Sequence, residues 1–207
     1  MKLRVFVTAE NHYRMGLLVL AIIAGLYYLT NHFPVFELRY LPMTYIDIAV
    51  PFIPVTIWVY VSEYLYYVVA YSSYKNEENV NKFLYAYISL SFFSFFIFFL
   101  WPTVYPRELF PLTNYSEGIT KTVFSFLRDH MDSPTNCFPS HHVSSCFLLS
   151  FSFLHESRRK FILFFIWTIL IAISTITTKQ HYFADVISGF LTALLFYYVF
   201  FKLAKVK

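Results

Sequence analysis

Long apolar stretches separated by short polar interruptions make up most of this chain. Six of them, at 15–31, 48–71, 83–101, 138–155, 161–178 and 183–203, approach or exceed the roughly 20 residues a helix needs to cross hydrocarbon. The pattern predicts an all-α polytopic membrane protein of six transmembrane helices, a single domain over residues 1–207. The first stretch runs into Asn31-His32-Phe33-Pro34 rather than a small-residue cleavage site, so it is expected to stay as an anchor. The second holds Pro51 and Pro54 near its start, acceptable in a membrane helix where neighbours or water satisfy the freed carbonyls. Glu63 lies deeper in it; a carboxyl there is a functional candidate by default, with pairing or protonation within the bundle an equally strong reading, and it stands outside the expected site.

The longest connection, 102–137, contains Ile119, Val123, Phe126 and Leu127 at i, i+4, i+7 and i+8. That spacing predicts an amphipathic helix lying at the membrane surface. Asn114-Tyr115-Ser116 has the form of a glycosylation acceptor, relevant only in a eukaryotic secretory setting. The phenylalanine run at 92–99 reads as a lipid-facing part of its span.

Composition agrees with the patterning. The chain is 58% hydrophobic and 14% charged, where a soluble domain carries about 25% charged residues. The net charge of +4 is a matter of topology. With a cytoplasmic N-terminus, eleven of the sixteen Lys and Arg residues fall on the inner side, against Arg39, Arg107, Lys121, Arg128 and Lys179 outside. This places both termini in the cytoplasm and leaves no argument for nucleic-acid binding. The abundance of Phe, Tyr, Ser and Asn favours a bacterial inner membrane, with a eukaryotic secretory membrane still open. Cys137 and Cys146, if both helical, stand about 13 Å apart along the axis, too far for a disulfide.

Chemistry concentrates in two motifs. Phe138-Pro139-Ser140-His141-His142 opens the fourth span, and His181-Tyr182-Phe183-Ala184-Asp185 opens the sixth. Arg107 follows the third. In the orientation above all three reach the extracytoplasmic margin. Ser140 and the amides after Pro139 form a helix N-terminus, which binds anions through free N–H groups and its dipole. Arg107 can clamp two phosphate oxygens. His181 and Asp185, at i, i+4, share one helix face, so the carboxylate can hold one imidazole nitrogen protonated and leave the other to attack phosphorus. His142, as imidazolium, can protonate the departing oxygen. His141 is divided between the phosphate site and a helix start facing water. His12, His32, His130 and His155 stand outside any motif and read as structural.

The pair F-P-S-x-H and H-Y-x-x-D-V-x-x-G resembles the signature of the type 2 phosphatidic acid phosphatase superfamily. With Ile48-Ala49-Val50-Pro51-Phe52-Ile53-Pro54 and Trp101-Pro102-Thr103-Val104-Tyr105-Pro106-Arg107, it is most similar to the inositol phosphorylceramide synthase-like and sphingomyelin synthase-like branch, over residues 45–195. The resemblance implies a six-helix fold and metal-independent transfer through a phosphohistidine. His181 would be the nucleophile, Asp185 its partner and His142 the acid, with Ser140, Arg107 and His141 on the phosphate and no cofactor. Three positions depart from the pattern: His141 replaces the usual glycine, and Leu100 and Thr175 stand where a lysine and an arginine would bind phosphate. Lys179 or Arg128 are the available substitutes.

The expected function is therefore a membrane lipid phosphatase, with lipid head-group phosphotransferase as the alternative. A metal site built from His141, His142, His181 and Asp185, or a catalytically silent lipid-binding relative, are the readings from other classes. The head group, the acceptor and the oligomeric state are not specified by the sequence.

Overall fold

The computed structural model describes residues 2–112 and 118–206; the Asn114-Tyr115-Ser116 pattern lies outside them. Among the described residues the chain is mostly helical. The order is α1 (His12–His32), α2 (Tyr45–Ala49), α3 (Ile57–Ser72), α4 (Glu77–Leu100), α5 (Ile119–Phe126), α6 (His141–Ser152), α7 (Arg158–Thr177) and α8 (Phe183–Tyr197). A π-helical turn extends α8 through Leu203. Two short parallel pairings complete the fold: β1 (Lys2–Leu3) with β4 (Lys205–Val206), and β2 (Arg39–Tyr40) with β3 (Thr103–Val104).

Four helices, α1, α4, α7 and α8 with its extension, are long and apolar enough to cross a membrane. Their outward faces carry bare aliphatic side chains such as Leu17, Ile22, Leu170, Ile173 and Leu195. Apolar surface on this scale is not kept in water by a monomer; it suits lipid. The stretch 48–71, expected to be one helix, is broken. α2 ends at Ala49, residues 50–53 are irregular, and the chain re-enters a helix through a 3-10 turn with Pro54 at its first position. Proline supplies no N–H and restricts the residue before it, so Pro51 and Pro54 stop α2 and start α3 rather than kinking one continuous helix.

α6 occupies the centre. Eleven of its twelve residues are buried, and it packs on α3, α4, α7 and α8. Small side chains permit this: Ser144, Ser145, Ser150 and Ser152 satisfy their hydroxyls on carbonyls one turn back. Gly189 on α8 is the closest approach, since a Cβ there would stand 2.7 Å from the Ser140 carbonyl oxygen. The phenylalanine run splits by helical period rather than facing lipid throughout: Phe95 and Phe98 are buried, whereas Phe92, Phe96 and Phe99 are exposed. α5 forms as expected but docks through Phe124 and Leu127 onto Ile57 and Tyr60 of α3, leaving Ile119 and Phe126 exposed.

The two ends of the bundle differ. At one, β1 and β4 pair, Asn81 binds the backbone of Phe6 and Val7, His155 meets the Tyr197 hydroxyl, and Tyr74 meets Ser152. Both chain ends therefore sit on the same side. At the opposite end, buried Asn31 closes α1 onto Ser133 and Thr135 of the long connection. There the starts of α6 and α8 and the loop carrying Arg107 converge.

Candidate active site

His181 is placed by the way α7 ends. Gln180 donates to the Thr175 carbonyl and Lys179 to that of Ile176, the two bonds of a Schellman turn. Lys179 takes the left-handed conformation usual for glycine there (φ 55°). It is held by its ammonium, which donates to the Asp47 and Val50 carbonyls at 2.6 Å each and stands over the Phe110 ring. The next amide, His181 N–H, shares the Thr175 carbonyl. Then α8 begins, with Asp47 accepting from the Phe183 amide at 2.6 Å and Asp185 from the Tyr182 amide at 2.9 Å. Carboxylates at a helix N-terminus answer the orphan N–H groups and the dipole.

His181 and Asp185 do meet, although not as neighbours on one helix face: His181 precedes the N-cap Tyr182, and Asp185 in the first turn of α8 reaches back to it. His181 Nδ1 lies 3.3 Å from Asp185 Oδ2, and both residues are buried. The second oxygen, Oδ1, is buried without a partner. Cys137 closes this corner: its sulfur, an imidazole nitrogen of His181 and a carboxylate oxygen of Asp185 all lie within 4.8 Å of one another. Burial pushes the Cys137 thiol well above its ordinary pKa, with the Asp185 charge acting in the same direction.

His142 reaches the same place from α6. Ser140 caps that helix, accepting from the Val143 amide, while its own amide donates to the Asp185 carbonyl at 3.1 Å. The two motifs are thus joined backbone to backbone, and the His142 and His181 ring centroids stand 5.8 Å apart. His142 Nδ1 lies 3.0 and 2.9 Å from the two carboxylate oxygens of Glu63 on α3. Glu63 also accepts from Tyr67. The other imidazole nitrogen, Nε2, lies 3.4 Å from the Tyr27 hydroxyl.

His141 goes elsewhere. Consecutive helical residues point about 100° apart, so with His142 aimed at the site its neighbour is turned to α4. There His141 Nε2 meets Ser91 at 3.0 Å and the ring stacks on Phe95. Arg107 is at the site but engaged: Nη1 donates to the Asp132 carbonyl at 2.5 Å and Nη2 to its carboxylate at 2.9 Å, while Nε is buried and unpaired. Asp132 also accepts from Tyr27 and Tyr60. Burial alone would raise this carboxyl, but Arg107 above all, with His142, His181 and the Tyr27 hydroxyl, holds it below the ordinary carboxylate value.

Neither of the two substitute cations is free for a phosphate in this arrangement. Lys179 is spent on carbonyls, and burial lowers its pKa. Arg128 donates to the Phe110 and Thr178 carbonyls and lies over the Phe124 and Phe52 rings; burial and the nearby Arg107 lower it to about 10. The four-ligand metal set is not gathered, since His141 faces Ser91 and His142 is held by Glu63. Among the described residues, the one group of three or more close His, Cys, Asp or Glu ligands is Cys137, His181 and Asp185.

Sequence reasoning missed Glu63, Asp132 and Cys137 as members of this cluster. Glu63 carried a signal, a carboxyl within an apolar span. Asp132 and Cys137 carried none, because polar loop residues and solitary thiols are ordinary.

Two imidazoles, each with a carboxylate at Nδ1, thus meet at this end of the bundle, with the Arg107–Asp132 pair beside them. The family model described as the PAP2 superfamily matches residues 43–199, well over half of the chain. No curated protein and no solved structure matches the sequence significantly. The chain belongs to the PAP2 superfamily, and a phosphatase- or phosphotransferase-type activity goes with that membership.

Proposed function

With that membership as the premise, we propose that this protein is an integral-membrane, metal-independent phosphatase. It hydrolyses a lipid phosphate ester at the extracytoplasmic face through a phosphohistidine. The observation that carries the reading is the opposition of two imidazoles 5.8 Å apart, each held at Nδ1 by its own carboxylate.

With Nδ1–H donated to Asp185, the His181 Nε2 lone pair attacks phosphorus. The bond from phosphorus to the lipid oxygen breaks, and that oxygen takes the proton of His142. Glu63 holds His142 at Nδ1, so the transferable proton sits on Nε2. A water then attacks the phosphohistidine, returns a proton to His142 and releases phosphate. Ser140, capping α6, brings helix-start amides to the anion, and Arg107 contributes positive charge.

Membrane embedding supports a lipid substrate. α3 with its leading turn and α6 with its trailing turn would complete six crossings. An even number fits the pairing of β1 with β4, and the Lys and Arg bias then puts that end in the cytoplasm. An apolar groove of about 290 Å³ between α1, α3 and α4, lined by Leu17, Leu20, Val68, Tyr71 and Leu84, shares Tyr67 with the Glu63–His142 network and suits an acyl chain. A second reading, transfer of the phosphoryl-bearing head group to a lipid hydroxyl, is favoured by the cations that are lacking. Leu100 and Thr175 replace two, and Lys179 and Arg128 are engaged elsewhere.

The test is phosphate release by the detergent-purified protein from a panel of lipid mono- and pyrophosphates, in EDTA, beside His181→Ala. Release by the wild type and a loss on the order of 10⁴–10⁶-fold in the variant is the expected result. Full activity in His181→Ala would sink the mechanism. Silence of the wild type on water, with turnover once a lipid hydroxyl is supplied, would establish the transferase.

A further inference from the structure

The corner behind His181 contains more than a phosphohistidine needs. Asp185 uses Oδ2 twice, for His181 and for the Tyr182 amide, and leaves Oδ1 buried with no partner. An orphaned carboxylate oxygen in an apolar setting is costly. Within 4.8 Å of an oxygen of this carboxylate is the Cys137 sulfur, whose hydrogen bonds go to the Pro134 and Thr135 carbonyls at 3.2 and 3.9 Å. Sulfur, nitrogen and oxygen donors from three residues, all within 4.8 Å of one another, form a donor set suited to a borderline-soft divalent cation.

We propose that Cys137, His181 and Asp185 form a binding site for a thiophilic divalent cation of the zinc class, and that its occupation shuts the enzyme off. Zinc bonds of about 2.3 Å to sulfur and about 2.0–2.2 Å to nitrogen and oxygen put tetrahedral ligand atoms roughly 3.4–3.6 Å apart. The three side chains therefore have to close by little more than about 1 Å at most. Cys137 precedes α6 in an irregular segment, and its side chain can move without disturbing a helix. On binding, the cation takes the place of the thiol proton, which leaves to solvent. It also gives the orphaned carboxylate environment a positive partner. With the metal on Nδ1, the nitrogen turned to Asp185, the ring proton passes to Nε2, and no lone pair is left to attack phosphorus. Oxygen-seeking Mg²⁺ and Ca²⁺ prefer sites without a thiolate, so the inhibition is selective for soft ions. This site does not depend on which phosphate ester the enzyme accepts, and it is separate from any metal requirement for turnover.

The test uses Cd²⁺ as a spectroscopic stand-in, titrated into the full-length protein in detergent, with the ultraviolet thiolate-to-metal charge-transfer band as readout. The expected result is one equivalent bound by the wild type and by Cys146→Ser, with competition by Zn²⁺ and not by Mg²⁺, and loss of the band in Cys137→Ser. A band that persists in Cys137→Ser, or none in the wild type, would overturn the assignment. Where phosphate release has been established, Zn²⁺ should inhibit the wild type at least tenfold more strongly than Cys137→Ser. Equal inhibition of the two would place the ion elsewhere. The absorption experiment needs no substrate, so failure of the proposed activity and failure of this site give different results.

Discussion

Two histidine–carboxylate pairs face each other in this molecule, and they are built in opposite ways. His181 stands just before the N-cap of α8 and Asp185 in the first turn of that helix, four residues apart. His142 and Glu63 come from different helices, separated by 79 positions. The local pair is set by a Schellman turn and a capped helix start, both of which act within a few residues. The remote pair exists only because α3 and α6 pack side by side, and it is the better bonded of the two, with Glu63 approaching His142 through both oxygens. Proximity in sequence is thus no guide to which partner holds its imidazole more firmly.

Glu63→Gln breaks the remote pair with little change in shape. If Glu63 fixes the His142 proton at Nε2, the variant should lose on the order of 10²–10⁴-fold in kcat, the usual contribution of a general acid. The loss should shrink for substrates with good leaving groups, which need no proton. Combining Glu63→Gln with His142→Ala should cost no more than His142→Ala alone, because the two act as a unit. Full additivity would show that Glu63 serves packing instead.

Asp132 is the third carboxylate, and it sharpens the contrast by attending a guanidinium. Removing one member of a buried ion pair costs about 3–5 kcal/mol, so Asp132→Asn should lower thermal stability by an amount readable in a melting curve. Its pH dependence has a definite sign. The folded carboxyl lies below its ordinary value near 3.9, so its contribution is complete above that value and is lost as pH falls through the lowered one. The wild type should therefore lose stability on acidification through the carboxylate range, and Asp132→Asn should lose less over the same interval. Parallel curves would mean that the Arg107–Asp132 contact is dispensable.

The smallest effect is expected at the residue beside the acid. His141→Ala removes a bond to Ser91 and a stack on Phe95, all on the α4 side of α6. We expect a modest loss of stability and a kcat within a few-fold of wild type. A collapse of kcat with the fold intact would put the His141 ring on the phosphate after all.

What could be read from the sequence follows from range. The pairing of His181 with Asp185 needs only the few residues that end α7 and start α8, and Gly189 is part of the same motif. Arg107 could be brought to the site end by counting spans, yet its engagement with Asp132 could not, because that depends on how residues 127–137 fold back. Pro51 and Pro54 were visible as interruptions. Their effect is a break rather than a kink, and at that break Lys179 holds the Asp47 and Val50 carbonyls from 132 and 129 positions away. The exposed Phe92 and the buried Phe95 are indistinguishable as letters; helical period separates the faces, and only packing against α6 and α1 says which face is inward.

The hydrogen bond from the Ser140 amide to the Asp185 carbonyl, tightened by the missing side chain at Gly189, has a bearing on how such an enzyme can diversify. If His181 and His142 are attacker and proton donor, it joins the two segments that carry them through main-chain atoms, a link independent of which side chains surround it. The outer connection and α1, by contrast, are fastened to each other by side chains such as Asn31 and Asp132. Those side-chain contacts can therefore be reworked one residue at a time while the main-chain link between the two motifs stays inherited.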